Sequence, residues 1–123
     1  MISEKLSAPE CTKHLMAVRD ALDVINGKWK IQIIIALWEG NTRFKDIERR
    51  IPKITARMLS KELKDLECHQ LVKRTVYDTL PVSVEYTATP HAQTLYPVIE
   101  ELKKWGNLHR KKILEKQQVP ELA

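Results

Sequence analysis

The spacing of apolar residues divides the chain into a short series of elements. From Lys13 to Asn26, Leu15, Val18, Leu22 and Ile25 recur at intervals of three and four, the period of an amphipathic helix. Asn26-Gly27 supplies its C-terminal stop. Lys28 to Glu39 holds Trp29, Ile31, Ile33, Ile34, Ile35, Ala36, Leu37 and Trp38. Three consecutive isoleucines suit a strand, but the length and the flanking Asn26-Gly27 and Gly40-Asn41 turns favour a buried helix. A third helix, 43–51, carries Phe44, Ile47 and Ile51 on one face, with Thr42 as its cap and Pro52 as its end. Thr55 caps a fourth, 55–69, and Ile54 with Leu59 has the spacing of a hydrophobic staple.

That fourth helix has two stripes. Ala56, Leu59, Leu63 and Leu66 are expected to face inward. Arg57, Lys61 and Lys64 form a basic stripe with Ser60 beside it, and Glu62, Asp65 and Glu67 lie away from its N-terminal half. Leu71–Tyr77 is then rich in β-formers and Val82–Thr87 alternates at period two; with the Asp78–Pro81 turn between them they predict a hairpin. A last helical region, 90–116, opens on Thr89-Pro90 and is expected to kink at Pro97. Residues 1–12 read as a flexible N-terminal arm and 117–123 as a frayed tail, leaving a single domain at 13–116.

Two short helices across a tight Lys53-Ile54 turn, followed by a hairpin, match a winged helix-turn-helix. The fold class is therefore α+β, mostly helical, with the wing at 71–87 and flanking N- and C-terminal helices. In such motifs the second helix enters the major groove by its N-terminal half. That half holds Thr55, Arg57, Met58, Ser60 and Lys61. Arginine reads guanine bidentately, so Arg57 is the candidate base reader. Lys61, Lys64, Arg43 and Lys45 are candidate phosphate contacts. Arg74, Tyr77 and Thr79 are candidates on the wing, with Lys73 and Arg74 on opposite faces.

Composition sharpens this picture. The net charge of the 123 residues is +5. Residues 41–79 hold 10 basic and 6 acidic side chains, so most of the excess lies on the proposed reading helix and its neighbours. Three glycines leave no room for a Gly-rich phosphate loop, and no apolar run reaches membrane length. An acidic, unpatterned start makes an export signal unexpected, so the two cysteines read as cytoplasmic thiols. Scattered Cys and His positions argue against a metal, no cofactor is expected, and no set of side chains suggests an enzyme.

Ala21-Leu22-Asp23-Val24-Ile25-Asn26-Gly27-Lys28-Trp29, with Asn26 for the first glycine, is similar to the A-L-D-x-I-G-G-K-W signature of the HxlR-type transcriptional regulators of the MarR-like winged-helix superfamily. Arg43-Phe44-Lys45-Asp46-Ile47 resembles R-F-x-E-L, and Ile54-Thr55-Ala56-Arg57-Met58-Leu59-Ser60 with Leu63 and Leu66 resembles their recognition helix. Arg74 to Tyr77 with Pro81, Val84, Glu85 and Tyr86 resembles the wing, and Leu102 with Trp105-Gly106 resembles L-x-x-W-G. The resemblance implies a bacterial homodimer, paired through its first and last helices, that binds double-stranded DNA at a short inverted repeat near a promoter; Leu15, Val18, Leu22, Leu95, Ile99, Leu102 and Trp105 are then the candidate dimer-interface residues. With the basic stripe and the wing, a repressor that blocks polymerase is the expected role. It also directs attention to Cys11 as a redox residue, with Lys13 and His14 beside it. Here Cys11 lies well before Trp29 and is followed by Thr12, whereas the family's N-terminal cysteine commonly lies closer and precedes proline. An ordinary thiol is the other reading of Cys11. A small-molecule or oxidant effector is left open. The alternative to DNA binding is a winged-helix module that recognises protein.

Overall fold

The computed structural model describes residues 8–118. The order is α1 (Ala8–Ile25), α2 (Lys30–Trp38), α3 (Phe44–Arg50), α4 (Ala56–Cys68), β1 (Val72–Tyr77), β2 (Ser83–Ala88), α5 (Pro90–Gln93) and α6 (Tyr96–Gln118). The isoleucine-rich segment is helical: Ile33, Ile34, Ala36 and Leu37 of α2 are buried together with Ile47, Ile51, Ile54, Leu59, Leu63 and Leu66. One core therefore lies under α2, α3 and α4. The base of the hairpin joins it through Leu71 and Val72, and the C-terminal region through Ala92 and Ile99.

α4 is set by its ends. The Thr55 hydroxyl accepts a hydrogen bond from the Met58 N–H at 3.1 Å, as an N-cap does. Ile54 and Leu59 are both buried in the core, as a staple requires. At the other end the Leu71 N–H reaches the Leu66 carbonyl and the Gln70 N–H reaches the Glu67 carbonyl, both at 2.9 Å. This is a Schellman closure with a left-handed residue, Gln70 at φ 61°, where glycine is usual. Thr89 ties the wing to that closure. Its hydroxyl donates to the Gln70 carbonyl at 2.6 Å and accepts from the Ala92 N–H, while its backbone N–H bonds the Leu71 carbonyl.

The wing is one antiparallel pair with Val72 opposite Ala88, Arg74 opposite Tyr86 and Tyr77 opposite Ser83. The Tyr86 N–H bonds the Thr42 carbonyl at 2.8 Å, which anchors the return strand beside the start of α3.

Five sequence expectations change. The helical part of the expected arm begins at Ala8, since Pro9 in a first turn costs no hydrogen bond; residues 1–7 lie outside those described. Arg43, not Thr42, holds the N-cap position of α3, and its side chain makes no cap bond. Ala56 is exposed and Glu62 takes the buried place on α4. The 90–116 region is two helices, not one kinked helix: Pro97 has no N–H to offer the Gln93 carbonyl, and the chain turns at Thr94-Leu95 through short bonds to His91 and Ala92. Finally, helix persists through Gln117 and Gln118, into the expected tail; residues 119–123 lie outside those described.

The left-handed Gln70 gives a stability test. Gln70→Gly removes the Cβ penalty at φ 61°, partly offset by the greater freedom of glycine when unfolded, and should raise unfolding stability by about 0.5–1 kcal/mol. Urea titration reads the change, and a β-branched Gln70→Val should shift the midpoint the opposite way.

Candidate nucleic-acid interface

The buried stripe of α4 leaves its other faces open. Thr55, Arg57, Met58, Ser60, Lys61 and Lys64 are all exposed. Thr55 caps the helix through its oxygen, so its hydroxyl hydrogen remains available to a phosphate. Capping and DNA contact are compatible at that residue.

Ion pairing thins the basic patch. Between Arg43 and Lys64 the sequence holds eight basic residues. Four of them face carboxylates. Arg43 lies 3.7 Å from Glu85 of the wing, and Arg49 lies 3.0 Å from Asp46. Arg50 holds Glu39 bidentately at 2.7 and 2.9 Å. That hydrogen bond lowers the Glu39 pKa and raises the Arg50 pKa from their ordinary values. Lys61 lies 3.8 Å from Glu62 and 3.9 Å from Asp65. The other four, Lys45, Lys53, Arg57 and Lys64, are exposed and form no ion pair among the described residues. Lys53 was missed from the candidates. It is the turn residue between α3 and α4, at φ 69°, and its place in that tight turn was the signal.

On the wing, Arg74, Tyr77 and Thr79 are exposed. The register puts Arg74 on the face of Tyr86, which packs against the core, and Tyr77 on the face of Lys73, Thr75 and Glu85. Arg74 and Tyr77 therefore serve opposite sides of the hairpin. Thr79 is occupied at the tip, its hydroxyl donating to the Pro81 carbonyl at 2.8 Å.

The expected dimer residues separate into two groups. Leu15, Val18, Leu22, Leu102 and Trp105 are exposed by 47–70%. Ile99 is buried in the core and Leu95 packs against it, because the break before α6 lays that corner on the domain. Cys11 is half-buried on α1, and neither it nor the exposed Cys68 is in a disulfide. A cavity of about 280 Å³ lies where α1 meets α5 and α6, lined by Val24, Ile25, Leu71, Leu95 and Val98 with Asp20 and His91 on it. Among the described residues no cluster could hold a metal ion, and no helix is long and apolar enough to cross a membrane.

Sequence reading also missed the ion pair beneath α4. Lys30 of α2 is buried, with its ammonium 2.7 Å from Glu62 and 3.5 Å from Asp65. Burial works against its charged form, but hydrogen bonding and charge from Glu62, then Asp65, outweigh it and raise the Lys30 pKa.

The comparisons with known proteins agree with this geometry. The profile of the HxlR-like helix-turn-helix family matches residues 24–114. An uncharacterized HTH-type transcriptional regulator of Methanothermobacter thermautotrophicus is 40% identical over 97 residues, 79% of this chain and 74% of that one. The redox regulator HypR in its reduced form superposes with a TM-score of 0.73 at 40% identity, covering 81% of this chain and 98% of that one. The reduced transcriptional regulator YodB of Bacillus subtilis superposes at 0.68 with 35% identity, covering 74% and 89%.

The buried pair sets an alkaline limit on stability. Its contribution is complete below the ordinary lysine value of 10.5 and is lost as pH rises through the higher folded-state value. The urea midpoint of the native protein should therefore fall more steeply at high pH than that of a Lys30→Met/Glu62→Met variant. Parallel curves would refute the coupling.

Proposed function

Since the chain belongs to the HxlR-like helix-turn-helix family of transcriptional regulators, we propose that it binds double-stranded DNA at a short inverted repeat as a homodimer, and represses by occluding the promoter. It is a regulator and not an enzyme. The observation that carries DNA binding is the set of exposed cations without ion-pair partners among the described residues on the two helices and their turn, namely Lys45 on α3, Lys53 in the turn, and Arg57 and Lys64 on α4, in a chain whose next element is a wing. Arg57 reads a base; the lysines, with Arg43, hold phosphate. A protein partner would have to be acidic to meet these cations, whereas a phosphate backbone meets them and the N-terminus of α4 together.

Dimerisation is supported by what the single chain leaves uncovered. Every residue of α6 from 101 to 116 is exposed, and so is every residue of α1 from 12 to 23. Isolated helices are marginal in water, and Leu15, Leu22, Leu102, Trp105 and Leu108 make an apolar surface that a monomer does not ordinarily leave bare.

A response to oxidant through Cys11 is the second reading, favoured by the likeness to HypR, a redox regulator. The apolar cavity between α1 and α6 would suit a small effector instead.

Binding sites recovered by selection from random DNA define the operator. On that duplex Arg57→Ala should cost about 1–3 kcal/mol and relax preference at one base pair. Wild-type affinity should fall steeply with salt, and a flat salt response would remove the DNA reading. Leu102→Asp should give a monomer by sedimentation, with operator affinity lost. For the oxidant reading, a Cys11→Ser protein that still answers diamide excludes Cys11 as the sensor.

A further inference from the structure

α4 carries three basic residues, Arg57, Lys61 and Lys64, and three acidic ones, Glu62, Asp65 and Glu67. The proposed reading helix is thus neutral in itself, and a positive outer surface depends on where its carboxylates are spent. Glu62 is buried, and its two oxygens face two different lysines. Oε2 is 2.7 Å from the Lys30 ammonium and Oε1 is 3.8 Å from that of Lys61. Asp65 Oδ2 is shared in the same way, 3.5 Å from Lys30 and 3.9 Å from Lys61. At both carboxylates the buried lysine is the nearer partner. The Lys61 side chain stays 68% exposed at the outer limit of ion-pair distance, whereas that of Lys30 is 8% exposed.

The two lysines therefore compete for the same acids. A carboxylate as buried as Glu62 is costly without a close cation. Without Lys30 the nearest cation is Lys61, whose side chain would close onto Glu62 and withdraw from the surface. The cluster of four groups would also pass from neutral to a net charge of −1 directly behind the face that meets phosphate. Lys61 was read from the sequence as a phosphate contact, and the same residue has the means to be captured from behind.

We propose that Lys30 is a positioning residue for DNA contact: by holding Glu62 and Asp65 more closely from inside the core, it leaves the Lys61 ammonium at the outer limit of ion-pair distance, loosely enough held to turn to a backbone phosphate. This rests on the reading of α4 as the DNA-facing helix. Lys30 touches no DNA itself and acts through Lys61. Its contribution is independent of base sequence, since the contact it protects is to phosphate.

A salt titration with a short random-sequence duplex tests this by fluorescence anisotropy, on wild type, Lys30→Met, Lys61→Ala, the Lys30→Met/Lys61→Ala double variant and Glu62→Gln, each confirmed folded by near-UV circular dichroism. Lys61→Ala should weaken binding roughly three- to fivefold at low salt and make the log–log salt slope shallower by about one. Lys30→Met should reproduce both changes, and the double variant should lose no more than either single, because both remove one contact. Glu62→Gln leaves Lys61 facing Asp65 alone and should tighten binding about twofold or more at low salt. A purely structural Lys30 would lower thermal stability while the folded protein bound with wild-type affinity and slope; that result, or additive losses in the double variant, overturns the proposal. If Lys30→Met does not fold, Glu62→Gln decides: unchanged or weaker binding overturns it. Wild-type protein that fails to bind the duplex overturns the DNA reading itself, and with it this one. Wild-type binding with unmoved variants sinks the Lys30 proposal alone.

Discussion

The molecule is organised by the need to hold one helix firmly from behind while leaving its front bare. Leu59, Leu63 and Leu66 of α4 are buried in the same core as Ile33, Ile34 and Ile47. Truncating a buried leucine of this kind costs about 2–5 kcal/mol, so three such anchors fix the orientation of α4 as well as its existence. Thr55 and the Schellman closure at Gln70 and Leu71 fix where it starts and stops. The wing inherits that geometry. Leu71 is at once the last residue of the closure and the residue before β1, and Thr89 bonds back to it from the far strand.

Electrostatics follows from the same arrangement. A count of basic residues suggests a dense patch from Arg43 to Lys64, yet half of those side chains have a carboxylate within 4 Å, Lys61 the most loosely. Most of these pairs are exposed and each adds little stability. Their larger effect is on the surface potential, which they concentrate at Lys45, Lys53, Arg57 and Lys64. The Lys30–Glu62 pair is different in kind. It is buried, so removing one partner leaves an uncompensated charge in the core. It also neutralises acid on the helix whose outward charge matters.

Features encoded within a few residues of one another were legible in the sequence. The four helices before the wing, the Thr55 cap, the Ile54–Leu59 staple and the hairpin are all local patterns, and the motifs of the HxlR-type regulators fall on them in order. Relations between distant residues were not legible. Lys30 and Glu62 are 32 positions apart, and Arg50 reaches back 11 positions to Glu39. Glu62 is instructive because its spacing was informative: it stands three residues after Leu59 and four before Leu66, on the buried stripe. Polarity argued it outward and Ala56 inward, and only the buried ammonium of α2 reverses that. Pro97 was visible as a perturbation, but whether it bends or breaks the helix depends on Leu95 and Ile99 finding the core.

The exposed helices bear on the same question of what holds α4 in place. α6 has 23 residues, roughly 34 Å at 1.5 Å per residue, and beyond Glu100 none of its described side chains is covered. The core beneath α4 is complete without that length, so its apolar residues do not serve the stability of the single domain. They are stranded unless something pairs with them, and a second copy presents a matching surface by symmetry. A two-fold pairing through α1 and α6 would place two α4 helices at a set separation and turn one short reading surface into a pair with defined spacing. Any change at Cys11 on α1, or in the cavity between α1 and α6, would then act on that spacing without touching the residues of α4 proposed to meet DNA.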